Sequence, residues 1–263
     1  MERDHATLVT HSPPGTEARR LGPWFHNLHL PDGTQTAPTH PLGDFPLMKW
    51  RQIEAHVPTD LSGLDALDIG CNAGFYSFEL ARRGARVTSL DIDRRFLSQA
   101  RWAAHRYGLA DRIEFHEGSI YSLACARRQY DIVWFFGVLY HLRHPLLALD
   151  ILREVTRRQL FLQTMTCPGS SIARARPNLT LDGRGAMNRR GWPRMAFIEH
   201  ALENDPTNWW APNAACVEGM LRAAGFHITA RPADEMYVAE PAAEESPFNT
   251  WSRRSELNAL TNP

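Results

Sequence analysis

The chain has very little lysine. Lys49 is the single lysine among 29 basic residues, and the others are arginines. The 29 basic residues are balanced by 29 acidic ones. This balance argues against a general nucleic-acid binder, because such proteins usually carry a net positive charge. The arginine preference has two readings, which are the codon bias of a GC-rich genome and the use of guanidinium forks for phosphate or carboxylate groups.

Cysteine is sparse and widely spaced. The four cysteines lie at positions 71, 125, 167 and 216, so none forms a Cys-x-x-Cys clip. The twelve histidines include no helical His-x-x-x-His pair with a glutamate between them. The sequence therefore predicts neither a disulfide framework nor a metal site.

Long apolar runs are also missing. No segment approaches the ~20 apolar residues that a membrane helix needs. The first residues, Met1–Asp4, lack the basic-then-apolar order of a signal peptide. We therefore expect a cytoplasmic protein without a membrane partner, and the sequence leaves the oligomeric state open. Apolar content of 43% and charged content of 22% are typical of a globular domain.

Strand and helix patterns alternate through the middle of the chain. Strands are predicted at 66–69, 87–91, 113–115, 131–136 and 160–162, and helices at 75–83, 96–107 and 145–153. This alternation predicts an α/β fold with a parallel sheet and helices on both faces. A further helix starts at Pro212-Asn213, and residues 226–229 and 236–239 are predicted to pair as antiparallel edge strands.

The regular region has irregular flanks, and we divide the chain accordingly. Residues 1–57 form an N-terminal arm and cover, in which the polar first 20 residues are expected to be mobile. Prolines break the cover between Pro23 and Pro46, and a short helix is predicted from Lys49 to His56. The main domain covers residues 58–240, with an insertion at 168–212 after the fifth strand. The tail, 241–263, offers Phe248 and Trp251 as docking side chains.

The clearest motif lies between the first strand and the first helix of the alternating region. It reads Asp68-Ile69-Gly70-Cys71-Asn72-Ala73-Gly74, and Asp91 ends the next strand. Small residues let a ligand approach the backbone, and a carboxylate at the position of Asp91 suits the two hydroxyls of a ribose. Asn72 and Phe75 depart from the dinucleotide fingerprint, so a nucleoside without a pyrophosphate fits better. The alternative is that the glycines only form a tight turn.

These motifs, with Asp131 to Phe136, resemble those of class I S-adenosylmethionine-dependent methyltransferases over about residues 64–238. The resemblance implies a Rossmann-like, seven-stranded, mostly parallel sheet whose last strand is antiparallel. It implies S-adenosyl-L-methionine as cofactor, with its amino-acid part along the glycine loop and its ribose on Asp91. Ser119 and Ile120 would flank the adenine. The full implied cofactor set is Asp68, Gly70, Asn72, Gly74, Phe75, Asp91, Ile92, Ser119, Ile120 and Phe136.

A narrower resemblance links Gly137 to Pro145 with the bacterial tRNA wobble-uridine carboxymethyltransferases. Those enzymes use carboxy-S-adenosylmethionine and recognise its extra carboxylate with a lysine, a tyrosine and an arginine. Tyr140 matches the tyrosine, His26 stands at the lysine position, and Asp234 to Tyr237 lack the arginine. An uncompensated extra charge would be costly to bind. We therefore expect ordinary S-adenosylmethionine.

Three side chains are candidates for catalysis. Tyr140 and His141 follow the fourth strand, where its carboxyl end opens into the ligand crevice of such a sheet. Histidine titrates near neutral pH and suits proton removal from an acceptor, so His141 is the first candidate for a base and His26 a further one. The alternative for each histidine is a structural role.

Two groups of residues outside the alternating region remain. Trp24, Phe25, Trp192, Trp209 and Trp210 either form an acceptor pocket or fasten the cover to the insertion. The segment from Arg174 to Arg194 contains six arginines and one acidic residue, Asp182. These arginines either bind an anion or lie in a solvated loop.

The sequence thus predicts a methyltransferase acting on a hydroxyl, amine or carboxylate of a small molecule. A tRNA-modifying enzyme is the alternative, since the wobble-uridine resemblance and the arginines favour it. A binding module that has lost turnover is the third reading.

Overall fold

The computed structural model describes residues 14–125, 128–169, 171–173, 178–243 and 255–259. Its centre is a seven-stranded sheet. The strands are β1 Asp65–Ile69, β2 Arg86–Asp91, β3 Ile113–Glu117, β4 Tyr130–Phe136, β5 Thr156–Gln163, β8 Phe226–Ala233 and β9 Met236–Pro241. Their order in the sheet is β3-β2-β1-β4-β5-β9-β8. The predicted α/β sheet is confirmed.

The strand directions follow from how the strands are connected. Neighbours among β1 to β5 run parallel, for example Leu67 beside Thr88 and beside Val133. The tight turn after β8 reverses the chain, so β9 pairs antiparallel with both β8 and β5. This confirms the predicted antiparallel pair at the sheet edge.

Helices cover both faces of the sheet. The helices are α1 Pro14–Leu21, α2 Phe45–Ile53, α3 Phe75–Arg82, α4 Arg94–Tyr107, α5 Pro145–Val155 and α6 Ala214–Ala223. The side chains of α2, α3 and α4 pack on one face, around Trp134 and Phe161. Those of α5 and α6 pack on the other, around Phe135 and Leu160. The run over β4 is buried along its whole length because both faces of that strand are covered.

Capping side chains define the starts of two helices. Asp93 caps α4 by accepting a hydrogen bond from the Arg95 amide at 2.8 Å, and Gly108 ends the helix with φ 66°. Asn213 caps α6 in the same way, through the Cys216 amide at 2.9 Å. The predicted end of α4 at residue 107 is confirmed, whereas the helix starts at Arg94 rather than at Phe96. The start of α6 predicted at Pro212-Asn213 is confirmed by the Asn213 cap.

The N-terminal region is more ordered than expected. Residues 1–13 lie outside the described part, but the expected mobility is wrong for Pro14–Leu21, which form α1. Ala18 of this helix is buried, and its carbonyl accepts the Trp24 indole N–H at 2.6 Å. The helix exists because tertiary packing outweighs its polar composition.

Helix α2 also differs from its prediction. It begins at Phe45 rather than Lys49, and residues 54–56 continue as a 3-10 turn. Pro46 had been read as a breaker, but proline fits the first turn of a helix, where its missing N–H costs nothing.

The insertion carries structure that the sequence did not reveal. Met195–Phe197 (β6) and Trp210–Pro212 (β7) form a separate antiparallel pair, and residues 182–188 form a 3-10 segment. Arg194 donates to the carbonyl of Met187. Arg174 and Arg176 of the arginine group, and Phe248 and Trp251 of the tail, lie outside the described residues.

Within the described ranges, no helix is long and apolar enough to cross a membrane. The same ranges contain no group of three or more histidine, cysteine or acidic side chains placed to hold a metal ion.

Candidate functional site

The candidate site lies where the strand order changes direction. The chain passes from β1 outward to β3 and then returns to β4 on the other side of β1. Such a change opens a crevice at the carboxyl ends of the two central strands. The loop after β1 starts at Gly70, and the loop after β4 starts at Gly137, so both meet at this crevice.

The loop from Gly70 to Gly74 has a backbone that only small or flexible residues permit. Gly70 has φ 73°, Asn72 φ 51° and Gly74 φ 90°, all in the left-handed region. A methyl group at Gly70 would lie 2.4 Å from Cγ2 of Val138, and one at Gly74 would lie 2.7 Å from Cζ of Phe78. The glycines therefore let the loop fit tightly between β4 and α3, as the tight-turn reading requires, and they fix the loop backbone at the crevice.

Asp91 is joined directly to this loop. Its Oδ2 accepts the amide of Asn72 at 2.8 Å, and its Oδ1 accepts the amide of Asp93 at 2.9 Å. The side chain is 8% exposed, and burial raises its pKa. The loop and the carboxylate thus form one unit.

Asp68 lies beneath the loop. It is 1% exposed, and its Oδ2 accepts the Ser77 hydroxyl at 2.6 Å. Burial raises the pKa of Asp68 to about 7, the Ser77 hydrogen bond opposes this rise, and the Asp91 charge adds to it. This carboxyl is placed to hold the loop against α3.

Three predicted residues lie beside Asp91. Ile92 is 74% exposed, whereas Ile120 is buried. Ser119 precedes the 3-10 turn 120–123 that begins at Ile120, and the amide of Gly118 donates to the Asp91 carbonyl at 3.0 Å. The structure brings these residues to the same strand end as Asp91.

A cluster of packed aromatic rings adjoins the start of α3. The ring centroids of Phe75 and Tyr76 lie 6.4 and 6.1 Å from that of His26, and Tyr76 also contacts Phe136 at 5.2 Å. The His26 Nδ1 and the Tyr76 hydroxyl are buried without a hydrogen-bond partner in the described part of the chain. Burial lowers the pKa of His26 to about 3, with the charges of Lys49 and His40 adding to the effect. His26 is therefore a neutral polar group at pH 7.

A polar chain that the sequence did not reveal runs past Tyr140. Lys49 Nζ donates to Gln163 Oε1 at 3.0 Å, and Gln163 Nε2 donates to Glu235 Oε2 at 3.0 Å. Burial, with the Glu235 and Asp205 charges, raises the pKa of Tyr140 to about 12. Burial lowers the pKa of Lys49, and the Glu235 charge opposes this. The region of Asp234 to Tyr237 thus supplies a carboxylate beside Tyr140.

His141 has partners from the insertion. Its Nδ1 lies 2.9 Å from the Thr207 hydroxyl and 3.3 Å from the Thr207 carbonyl. Asp205 Oδ1 accepts that hydroxyl at 2.6 Å, and the amide of Trp209 donates to the Tyr140 carbonyl at 2.9 Å. Residues more than 60 positions apart form this contact, so no local pattern could have predicted it.

The tryptophans outside the alternating region have different neighbours. Trp24 packs against Trp102 at 5.7 Å between centroids, so it fastens the cover to α4 rather than to the insertion. The Arg143 guanidinium lies 4.5 Å from the Trp209 ring centroid, beside the turn that carries His141.

A family model of a methyltransferase domain matches residues 66–159. This stretch carries the glycine loop, Asp91 and the turn after β4. Residues 66–159 belong to a methyltransferase domain of the class I, S-adenosylmethionine-dependent type. The domain was therefore recognisable from the loop motif and the strand order.

Curated relatives of this chain include a tRNA U34 carboxymethyltransferase of Pseudomonas paraeruginosa, 31% identical over 219 residues, 82% of this chain and 59% of that protein. The protein of that name from Azotobacter vinelandii is 28% identical over 82% of this chain and 60% of its own length. The chain thus spans about three fifths of these relatives.

Solved structures support the fold of the methyltransferase domain. The N-terminal domain of EvdMO1 with SAH bound matches with a TM-score of 0.58 and 20% identity, over 88% of this chain and 95% of that one. The [4+2]-cyclase SpnF matches with a TM-score of 0.51 and 17% identity, over 95% of this chain and 79% of that one. One of these neighbours is named as a cyclase, so the fold alone does not specify the reaction.

Proposed function

We propose that this protein transfers a methyl group from S-adenosylmethionine to a hydroxyl, amine or carboxylate of a small molecule. The observation that carries the proposal is the junction of Asp91 with the loop through the amide of Asn72. This hydrogen bond places the Asp91 carboxylate, which would bind the ribose, beside the loop backbone, which would bind the amino-acid part of the cofactor. The turn that carries Tyr140 and His141 ends in the same crevice.

The residues present suit this cofactor. The lone pairs of Asp91 accept the two ribose hydroxyls, and Ile92 and Ile120 offer apolar surface for the adenine, with Ser119 beside them. The unpartnered His26 Nδ1 and Tyr76 hydroxyl lie where α3 leaves the glycine loop, and we assign them to polar groups of the amino-acid part. Phe75 packs against His26 and Phe136 against Tyr76, and Asp68 holds the loop from below.

The charge around Tyr140 favours the ordinary cofactor over its carboxylated form. Glu235 lies in the segment where the carboxymethyltransferase resemblance would need an arginine, and it shares Gln163 with Lys49. The single lysine is therefore already matched by a carboxylate. The extra carboxylate of carboxy-S-adenosylmethionine would lie near Glu235 rather than near a free cation. Repulsion between two carboxylates is unfavourable in a partly buried site.

Cofactor binding by an Asp91→Ala variant tests the proposal. We expect S-adenosylmethionine to bind about 10- to 100-fold more weakly by calorimetry, because hydrogen bonds to a charged carboxylate are lost. Asp93→Ala is the matched control, since it removes the cap of α4 from the same turn but leaves Asp91 in place. Equal affinities of wild type and Asp91→Ala, with both folded by circular dichroism, would overturn the placement of the ribose.

The alternative function is carboxymethyl or methyl transfer to a tRNA wobble uridine. It is supported by the 31% identity to a tRNA U34 carboxymethyltransferase and by Tyr140. Mass spectrometry of the nucleoside that co-purifies with the protein separates methyl transfer from carboxymethyl transfer. Carboxy-S-adenosylmethionine supports the carboxymethyl form of the alternative, whereas S-adenosylmethionine or its demethylated product supports methyl transfer, and tRNA binding then distinguishes the two acceptors.

A further inference from the structure

Two side chains of the insertion, Thr207 and Asp205, form a hydrogen-bonded chain that ends at His141. Asp205 accepts both the Thr207 amide at 2.7 Å and the Thr207 hydroxyl at 2.6 Å. The hydroxyl proton is thereby committed to Asp205, so the Thr207 oxygen acts as an acceptor toward the imidazole at 2.9 Å. The Thr207 carbonyl, 3.3 Å from the same nitrogen, can only accept.

Two acceptors on one ring nitrogen decide the tautomer. Nδ1 must carry the proton to satisfy them, which leaves Nε2 unprotonated on a neutral ring. No hydrogen-bond partner of Nε2 occurs within the ranges that the structure describes. A neutral histidine with a free Nε2 lone pair and an oriented Nδ1–H has the arrangement of a general base.

We propose that His141 is the general base of methyl transfer, that Thr207 and Asp205 are its positioning residues, and that the acceptor group is a hydroxyl. The inference rests on the proposed function and narrows its acceptor. A carboxylate reacts without losing a proton, and an amine exchanges its proton with water before reacting. A hydroxyl is the acceptor that gains most from a base held beside it.

The proton balance follows from this arrangement. When S-adenosylmethionine is bound, its sulfonium supplies the methyl group: an oxygen–carbon bond forms, the carbon–sulfur bond breaks, and its electron pair returns to sulfur. The acceptor proton passes to Nε2 of His141. The resulting imidazolium lies 3.9 Å from Asp205 Oδ2, whose negative charge stabilises it, and it then loses the proton to solvent.

The surroundings of His141 agree with this role. Burial lowers its pKa, and the Asp205 charge and the Thr207 carbonyl oppose the decrease. The Tyr140 ring, 4.3 Å away between centroids, is uncharged at neutral pH. The Arg143 guanidinium stacks on Trp209. Asp205 is thus the anionic side chain in closest contact with the ring, and the neutral form that a base needs prevails at neutral pH.

Nitrogen-15 NMR of labelled histidine, without cofactor, tests the positioning residues. His141→Gln assigns the signal, and we expect a protonated Nδ1 and an unprotonated Nε2 at pH 7.5. Thr207→Val should populate both tautomers, and Thr207→Ser should restore the first. Asp205→Asn should lower the titration midpoint of His141. A proton on Nε2, or a tautomer unchanged by Thr207→Val, would contradict the positioning roles of Thr207 and Asp205.

The acceptor is tested with methyl-tritiated S-adenosylmethionine and a small-molecule extract as the probe. Products are first separated from unreacted S-adenosylmethionine by chromatography, because its sulfonium group also binds a cation exchanger. Among the products, label that survives base and passes the exchanger marks an ether, volatile label released by base marks an ester, and retained label marks an amine. We expect ether, and a loss on the order of 10²–10⁴-fold in His141→Gln. Ester or amine product, or equal rates, would overturn the inference. Cofactor binding without transfer to a hydroxyl, amine or carboxylate would instead contradict the proposed function. The NMR result would still decide whether Thr207 and Asp205 position His141.

Discussion

Gly70 shows how one residue links the fold to the site. Its backbone has φ 73°, and the Val138 side chain occupies the place where a Cβ would lie. The residue therefore serves both the turn and the contact between the loops after β1 and β4. This combination explains why the loop motif was the most informative part of the sequence.

Gly70→Ala should lower the free energy of unfolding by roughly 2–5 kcal/mol, because backbone strain and a steric clash add. Gly63→Ala is the matched control, since Gly63 has φ 79° but nothing within 4 Å of its Cβ position. That control should lose only about 1–2 kcal/mol from the left-handed backbone. Urea denaturation measures both, and equal losses would mean that the Val138 contact contributes nothing.

Asp68 predicts a pH dependence of stability. Its pKa is raised to about 7 in the folded chain, whereas an unfolded aspartate titrates near ~3.9. Between these values the folded state holds a proton that the unfolded state has lost, so stability falls as pH rises. Asp68→Asn keeps an oxygen for Ser77 and cannot ionise. Relative to wild type it should gain on the order of 1–4 kcal/mol between pH 5 and pH 8, and parallel urea midpoints over this range would contradict the assignment.

At the scale of elements, sequence patterns predicted the helices and strands that are marked by local features of the chain. Helix α4 has an Asp93 cap and a Gly108 stop, and β4 is a continuous apolar run, so each carried its own evidence. Helix α1 and the β6–β7 pair did not, because their stability comes from partners distant in the chain. The partners of His141 were missed for the same reason, since Thr207 and Asp205 approach it only in the folded insertion.

A buried side-chain amide contributes to fastening the cover to α4. The Gln99 side chain donates to the carbonyls of Leu21 and Pro23 at 2.8 and 2.9 Å, and it is fully buried. Gln99→Leu keeps the volume but leaves two carbonyls without a donor, so we expect a loss of about 1–3 kcal/mol. Hydrogen exchange should increase at residues 14–30 more than in β1 or β4. Ser98→Ala, an exposed neighbour, is the control, and uniform exchange in both variants would show that Gln99 does not hold the cover.

At the scale of the whole molecule, acidic and basic residues balance each other. The net formal charge is zero, and many arginines are already paired with acids, such as Arg157 and Arg158 with Asp131. Guanidinium groups held by acids neutralise few phosphates, so they displace few of the counterions that a nucleic acid carries. We therefore expect only weak electrostatic attraction between this protein and a phosphate backbone.

This charge balance predicts weak tRNA binding. In a gel shift at pH 7.5, total tRNA should not be retained at 150 mM salt, and the dependence of any low-salt binding on salt concentration should be shallow. The arginines of the insertion are the competing source of affinity, so an Arg189→Ala, Arg190→Ala double variant is measured beside the wild type. Tight retention with a steep salt slope, lost in the double variant, would favour the wobble-uridine function instead. Weak binding that is unchanged in that variant would leave the small-molecule function as the better account, because the exposed arginines would then contribute nothing to tRNA affinity.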